Sequence, residues 1–367
     1  MSTPRDIAQQ FDLRTPLADV RPWGAGLIND TFLVCTAARP AGDTILQRIN
    51  PAVFPQPALI MHNLRTLLAH VQARQAQAGA AALDLQFPAI RTTHANEDYV
   101  VDEHGALWRA IEFIQDTRTL ERVGSARQAQ ALGHALGRFH ALVHDLDPAS
   151  LHDTLPGFHI TPRYLTRYDA VAKEATHAPH SVDLDDCMAF IEARRSLAAV
   201  LEDARHAGRL SLRVVHGDPK LNNFLFDSRR EHVLSLIDLD TVKPGLVHHD
   251  IGDCLRSCCN TAGESPGDAG AVRFDLGTCR AVLGAWFEQT SGFTSSADLG
   301  HLYDAIRLIP FELGLRFVTD HLEGDHYFRV VRRGDNLRRA MVQFRLTASI
   351  EDQQQQIANV ITEVART

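Results

Sequence analysis

Residues 216–227 read HGDPKLNNFLFD, and residues 236–240 read LIDLD. The apolar pair Val214-Val215 leads into the first stretch, and Phe224-Leu225-Phe226 leaves it. After the polar turn DSRR, a second apolar run from Val233 to Ile237 ends at Asp238. Two apolar runs of strand length around a polar turn predict a β-hairpin. Hairpin geometry sets Asn223, just before the first strand, beside Asp238, at the end of the second. Asp218 lies on the loop entering the hairpin. Three oxygen-bearing side chains are thereby expected at one end of a rigid element.

That set suits a hard divalent cation, since magnesium takes carboxylate, amide and phosphate oxygens and keeps some water. Asn223 and Asp238 are the expected metal ligands, bridging nucleotide phosphates. Asp218 is the expected catalytic base, accepting a hydrogen bond from a substrate hydroxyl. The spacing of five residues from Asp218 to Asn223 matches that of a kinase catalytic loop. Either motif alone is an ordinary turn or strand end; the two together, in this order, point to phosphoryl transfer.

The chain has 367 residues, 45% of them hydrophobic, enough for two lobes with real cores. A formal net charge of −8 argues against nucleic acid or an anionic membrane as partner, but not against a nucleotide held by local groups. Cys35, Cys187, Cys254, Cys258, Cys259 and Cys279 include no CxxC pair and no framework spacing. They predict reduced thiols and a cytoplasmic location. The opening MSTPRDIAQQFDL lacks the basic-then-apolar pattern of a signal peptide, and no uninterrupted apolar stretch is long enough to cross a membrane.

The first third reads as strands around one helix. Strands are expected at Val20–Gly26, Thr31–Thr36, Thr44–Ile49, Ala89–Thr93, Tyr99–Val101 and Leu107–Ile114. A helix is expected from Pro57 to about Ala78, with Leu64, Leu67, Leu68 and Val71 on its stripe. The remainder reads mainly as helix. Ser125 is the expected N-cap of a helix with Leu132, Leu136, Phe139, Leu142 and Val143 on one face. Turn residues and histidines from Pro148 to Pro179 predict a loop. Further helices are expected over Asp183–Ala207, Val272–Thr290, Ala297–Thr319 and Asn336–Ala365. The pattern changes near Ile111–Leu120, which predicts lobes of residues 1–115 and 116–367 with a ligand cleft between them.

At these motifs the chain resembles the aminoglycoside phosphotransferase and choline kinase superfamily, and within it the bacterial N-acetylhexosamine 1-kinases. The likeness spans nearly the whole chain. It includes GAGLINDTFLV (24–34), LQRINPAVFPQP (46–57), the two central motifs, DIGDCLRS (250–257) and ELGLRFVTDHLEGDHYF (312–328). The resemblance implies an α+β, protein-kinase-like fold, with a small antiparallel-sheet N-lobe and a larger, mainly helical C-lobe. It implies a magnesium- and ATP-dependent kinase acting on the anomeric hydroxyl of an N-acetylhexosamine. Gly24 and Gly26 would lie over the phosphates, and Arg48 is the cation nearest to where such kinases carry a lysine. Glu112, Phe113 and Ile114 would form the hinge offering backbone hydrogen bonds to a purine. Asn29 and Asp30 would reach the sugar from above, and Arg316 and Tyr327 from below, with Asp218. His216, Asp240, Asp250 and Asp253 would support the catalytic loop and the metals.

The sequence departs from the kinase pattern in the N-lobe. TILQRI (44–49) has no lysine, and PALIMHNLRTLLAHV (57–71) has no glutamate to pair with one; His62 stands near its place. Other acceptors, such as another sugar, an amino alcohol or an aminoglycoside, fit the same chemistry. A metal-dependent hydrolase built on His216, Asp218, Asp238, His248 and Asp250 is an alternative, and so is a silent nucleotide-binding module. LPGFHITPRYL (155–165) is a mixed aromatic and polar stretch suited equally to a sugar or to a surface loop.

Overall fold

A computed structural model describes residues 2–13, 16–24, 28–37, 42–78, 85–175, 181–263 and 269–366. A short helix α1 (Pro4–Ala8) opens the chain, with Thr3 and Asp6 closing a capping box. Strands β1 (Leu17–Pro22), β2 (Asp30–Thr36) and β3 (Thr44–Arg48) follow, then helix α2 (Ala58–Ala78). Strands β4 (Ile90–Arg91), β5 (Val100–Val101) and β6 (Leu107–Glu112) complete an antiparallel sheet of order β1-β2-β3-β6-β4, with β5 also paired to β6.

Alternation along β3 and β6 gives the sheet two faces. Leu46, Trp108 and Ala110 pack with Val34 and with Ile7, Ala8 and Phe11 in one core. Gln47 and Arg109, opposite one another in the register, stand on the other face.

After β7 (Thr117–Arg118) the chain is mainly helical: α3 (Ala126–Val143), α4 (Thr161–Glu174), α5 (Val182–Glu192) and α6 (Val200–His206). Strands β8 (Arg213–Val215), β9 (Phe224–Asp227), β10 (Val233–Leu236) and β11 (Lys243–Gly245) come next. The C-terminal helices are α7 (Val247–Cys258), α8 (Leu276–Thr290), α9 (Ser296–Gly300), α10 (Leu302–Glu323), α11 (Asp335–Asp352) and α12 (Gln354–Val364). Ser125 caps α3 by accepting the Gln128 N–H at 3.1 Å. Among the described residues no helix is long and apolar enough to cross a membrane.

The central hairpin forms as its pattern predicts. β9 and β10 pair antiparallel with Phe224 opposite Leu236, and the Ile237 N–H donates to the Asn223 carbonyl at 2.9 Å.

Several expectations need correction. The stretch from Pro148, expected as loop, contains α4; its proline, Pro162, occupies the first turn, where no N–H is needed. Pro179 lies outside the described residues. The helix expected over 183–207 breaks at Arg194, whose side chain turns to Glu351 and stacks 3.6 Å from the Phe190 ring. The expected 297–319 helix divides at His301, whose Nδ1 takes the Ala297 carbonyl. The expected 336–365 helix divides at Gln353, which bonds Phe274 and Ser349. Helix α7 was not anticipated, because its sequence VHHDIGDCLRSC looks polar; every one of its residues is buried.

Candidate active site

The loop between β8 and β9 carries the candidate base. Gly217 has φ +89°, and a Cβ there would meet the Thr241 carbonyl at 2.6 Å, so only glycine fits between His216 and Asp218. Asp250 on α7 holds this loop by its backbone: Oδ2 accepts from His216 N at 2.7 Å and Oδ1 from Gly217 N at 2.8 Å. Asp250 is itself fixed by the His140 Nε2–H at 2.9 Å, and His140 Nδ1 accepts from Trp286 Nε1 at 3.0 Å. Burial works against the Asp250 charge, and the hydrogen bonds from His140 and from the His216 N–H more than offset it, keeping the carboxyl low.

His216 is neutral in this frame. Its Nε2–H donates to the Ile237 carbonyl at 3.0 Å, its Nδ1 accepts from Asp218 N at 3.2 Å, and burial lowers its pKa. The ring therefore spans the hairpin end and seats Asp218.

The Asp218 carboxylate accepts from Lys220 Nζ at 2.5 Å and from Asn223 Nδ2 at 3.3 Å. Burial alone would raise its pKa, but the Lys220 charge outweighs this and the group stays low, ready to accept a proton contact. Asn223 Nδ2 also donates to the Asp218 carbonyl at 2.7 Å, which leaves the amide oxygen for a cation.

Asp238 follows β10 with φ +66° and opens to the cleft. Desolvation by the surrounding protein, then the Asp240 charge, push its carboxyl up to about 7. Lys220 and Arg109 offset this only in part, and a carboxyl crowded by others beside the Asn223 amide oxygen fits a magnesium ion. The predicted trio of Asp218, Asn223 and Asp238 is thus brought to one hairpin end.

Asp240, two residues on, faces the N-lobe. It is buried against the Arg109 guanidinium and accepts from Asn29 Nδ2 at 2.8 Å. Gln47 Oε1 holds Arg109 through two further hydrogen bonds, at 2.7 and 3.1 Å. Asn29 is therefore occupied as a clamp between the lobes, with its Oδ1 accepting from Asn50 N at 3.0 Å. Helix α2 docks through Asn63, which bonds the Val242 and His152 carbonyls, while His62 turns to the Ser150 carbonyl.

Other expected residues lie elsewhere. Asp30 and Arg48 face each other, 3.8 Å apart, on the side of the sheet that carries Leu46 and Trp108, away from Gln47 and Arg109. Two hinge donors are committed within the N-lobe: Glu112 N to the Ala89 carbonyl and Phe113 N to the Asp43 carbonyl. The Ile114 carbonyl accepts from Thr117 Oγ1. Gly24 is exposed with φ +73°, and Gly26 lies outside the described residues. Trp23, beside Gly24, meets the Phe113 ring edge-on at 5.5 Å. Asp253 bonds Arg256 Nε at 2.7 Å, and its Oδ2 is buried without a partner.

Arg316 on α10 stands inside four rings: Tyr164 at 5.0 Å, Phe158 at 5.1 Å, Phe328 at 5.3 Å and Tyr327 at 5.7 Å. Among the described residues no acceptor hydrogen-bonds its guanidinium. Burial opposes its charge, but Tyr164, Tyr327, Glu312 and Asp218 lie close enough to hold it charged. Asp320 secures the loop bearing Tyr327 by accepting three backbone N–H groups, from His326, Tyr327 and Phe328. The 155–165 stretch thus supplies two walls of the cage, Phe158 and Tyr164.

Two cations stand beside the expected residues. Lys220 was legible, two residues after Asp218 in the quoted motif. Arg109 was not, because only the β3–β6 register brings it opposite Gln47. The hydrolase alternative finds its histidines spent elsewhere: His216 on Ile237 and His248 on the Asp298 carbonyl, at 2.9 Å. Among the described residues no three His, Cys, Asp or Glu side chains gather as metal ligands.

Comparison with known proteins agrees with this geometry. A family described as "Phosphotransferase enzyme family" matches residues 19–286. An aminoglycoside phosphotransferase from Alicyclobacillus acidocaldarius superposes with TM-score 0.65 at 16% identity, covering 97% of each chain. A microcompartment-associated aminopropanol kinase gives 0.62 at 16% identity, covering 93% of this chain and 94% of that one. A choline kinase from Cryptosporidium parvum gives 0.58 at 14% identity, covering 94% and 93%. At such identities the structures establish the shared fold, and the family match carries the assignment: the chain belongs to the phosphotransferase enzyme family and is a small-molecule phosphotransferase.

Proposed function

We propose that the chain is an ATP- and magnesium-dependent kinase that phosphorylates the anomeric hydroxyl of an N-acetylhexosamine. Residues 1–115 would cover the nucleotide, and residues 116–367 would hold the catalytic loop and the acceptor. The observation that carries the acceptor class is the arginine inside the aromatic cage. A ring of Phe158, Tyr164, Tyr327 and Phe328 would suit a quaternary ammonium. Here the protein's own guanidinium fills it. A cationic acceptor such as choline or an aminoglycoside would meet a fixed positive charge beside Asp218. A neutral acceptor with hydroxyl and carbonyl oxygens would meet unspent N–H donors and aromatic faces. The choice of an N-acetylated sugar and its anomeric hydroxyl rests on the sequence likeness around residues 24–34 and 312–328.

In this reading Asp218 orients the acceptor hydroxyl and takes its proton as the oxygen bonds to the γ-phosphorus and the bond to the ADP leaving group breaks, while His216 and Asp250 keep the loop in place. Lys220 lowers the Asp218 pKa and adds positive charge near the transferred group. Asn223 and Asp238 would hold magnesium, which supplies charge neutralisation to the nucleotide phosphates. Catalysis is then mostly positioning and electrostatics, with a base of this kind contributing on the order of 10²–10⁴-fold.

The test is an acceptor panel scored by ADP release, with product identified by phosphorus NMR. N-acetylglucosamine or N-acetylgalactosamine is expected to turn over to a sugar 1-phosphate, with choline and ethanolamine inactive. A 6-phosphate product overturns the anomeric claim. Turnover of choline with none of any sugar overturns the acceptor class.

A further inference from the structure

His159 lies in the 155–165 stretch with φ +63°, a left-handed conformation that non-glycine residues adopt uncommonly. The ring it positions is buried and bridges two elements of the site. Nε2 is 2.9 Å from the Gly217 carbonyl, and Nδ1 is 2.8 Å from Glu312 Oε1 on α10. A carbonyl and a carboxylate are both acceptors, so each ring nitrogen is called on to donate. A neutral imidazole has one N–H; only the imidazolium satisfies both contacts. The carboxylate is in turn stabilised as an anion. Thr161 Oγ1 donates to Glu312 Oε2 at 2.6 Å, and Arg316 lies one helical turn further along α10.

We propose that His159 carries a fixed positive charge and is a positioning residue, tying helix α10 to the carbonyl just ahead of Asp218. The role rests on the reading of Asp218 as the base. Its consequence is mechanical: the helix that presents Arg316 to the acceptor also sets the loop that presents the base. A displacement of α10 on acceptor binding would pass through Glu312 and His159 to Gly217.

The surroundings of His159 are consistent with a retained charge. Glu312 faces it from α10. From α7 come the carboxylate of Asp253, whose Oδ2 has no hydrogen-bond partner, and the His249 ring, stacked 5.0 Å away at 24°. Burial works to lower the His159 pKa, and Glu312, the Gly217 carbonyl and Asp253 more than offset it. Burial and the His159 charge drive His249 well below the usual range, so one ring of the stack is charged and the other neutral. Burial would raise the Glu312 pKa, but His159, Arg316 and Thr161 bring it down to about 2.

The experiment uses the full chain labelled with ¹⁵N-histidine. Both ring nitrogens of His159, assigned by the signals lost in His159→Gln, are expected to remain protonated at about pH 8, where an ordinary histidine is neutral. In Glu312→Gln the same signals are expected to become those of a neutral ring. A neutral ring in the unaltered chain at that pH overturns the fixed charge. For positioning, His159→Leu is expected to lower kcat by about tenfold or more with KM for nucleotide nearly unchanged. His159→Gln, whose amide can still donate to Gly217, is expected to restore most of the loss. An unchanged kcat in His159→Leu overturns the positioning role; should that variant not fold, His159→Phe, a ring with no donor for the Gly217 carbonyl, is read in its place with the same two outcomes. Failure of every acceptor to turn over in the unaltered chain counts against the kinase reading, while the NMR result still decides the charge.

Discussion

Asp240 shows how a carboxylate two residues from a candidate metal ligand can be structural. It is buried, and Arg109 and Asn29 of the N-lobe satisfy it. Removing one partner of such a pair leaves an uncompensated charge, at a cost of about 3–5 kcal/mol. Arg109→Leu is therefore expected to lower stability by that amount in urea unfolding, with Arg109→Lys losing less. Asp238 gives the opposite expectation. Its folded carboxyl titrates near 7 against 3.8 for an unperturbed one, so the unfolded chain ionises first and the native state loses stability as pH rises from about 4 to about 7. Asp238→Asn should therefore raise Tm of the metal-free protein at neutral pH, with a gain that fades toward pH 4, while turnover collapses. Differential scanning fluorimetry across that pH range reads both. At this scale the sequence announced Asp218, Asn223 and Asp238, because they sit within one local hairpin. Arg109 was hidden, since its partner lies 131 residues away and only strand register joins them.

Among elements, helices α3 and α8 illustrate how small residues set a packing distance. A Cβ on Gly133 would lie 2.1 Å from the Val282 carbonyl, and one on Gly137 2.7 Å from the Trp286 carbonyl. Both obstacles are backbone, which cannot rotate away. Gly133→Ala is therefore expected to destabilise the protein by about 1–3 kcal/mol through overpacking, despite the better helix propensity of alanine, as thermal unfolding would show. The separation also carries function, because α8 supplies Trp286 and α3 supplies His140 to the chain that ends on Asp250. The α3 stripe was readable from its period and its serine cap. Helix α7 was not: His248, His249, Asp250, Asp253 and Arg256 give it a polar look, yet its polar groups turn inward to the β8–β9 loop and its neighbours. Helix α4 was masked by prolines and histidines whose positions, in the first turn and ahead of it, do not oppose a helix.

At the scale of the whole molecule, two regions close on one another through Asn29, Arg109 and Asn63, all reaching from the N-terminal region to backbone or carboxylate groups of the C-terminal one. The antiparallel sheet followed by helices was legible from the change of period near residue 115. The N-lobe contacts were not, because Arg48 and Gln47 are sequence neighbours on opposite faces of the sheet. The N-lobe cation that reaches Asp240 comes from β6, not from β3, because strand register sets Arg109 and Gln47 on the face toward the C-terminal region. The elements converge on Asp218, seated by His216 and charged beside Lys220, where the proposed acceptor would bind near Arg316. The most direct test compares Asp218→Asn with the unaltered chain, measuring turnover at saturating nucleotide alongside nucleotide affinity. With Asp218 as the base, kcat is expected to fall by about 10²–10⁴-fold while nucleotide affinity stays within a few-fold. Turnover that survives the substitution would contradict it.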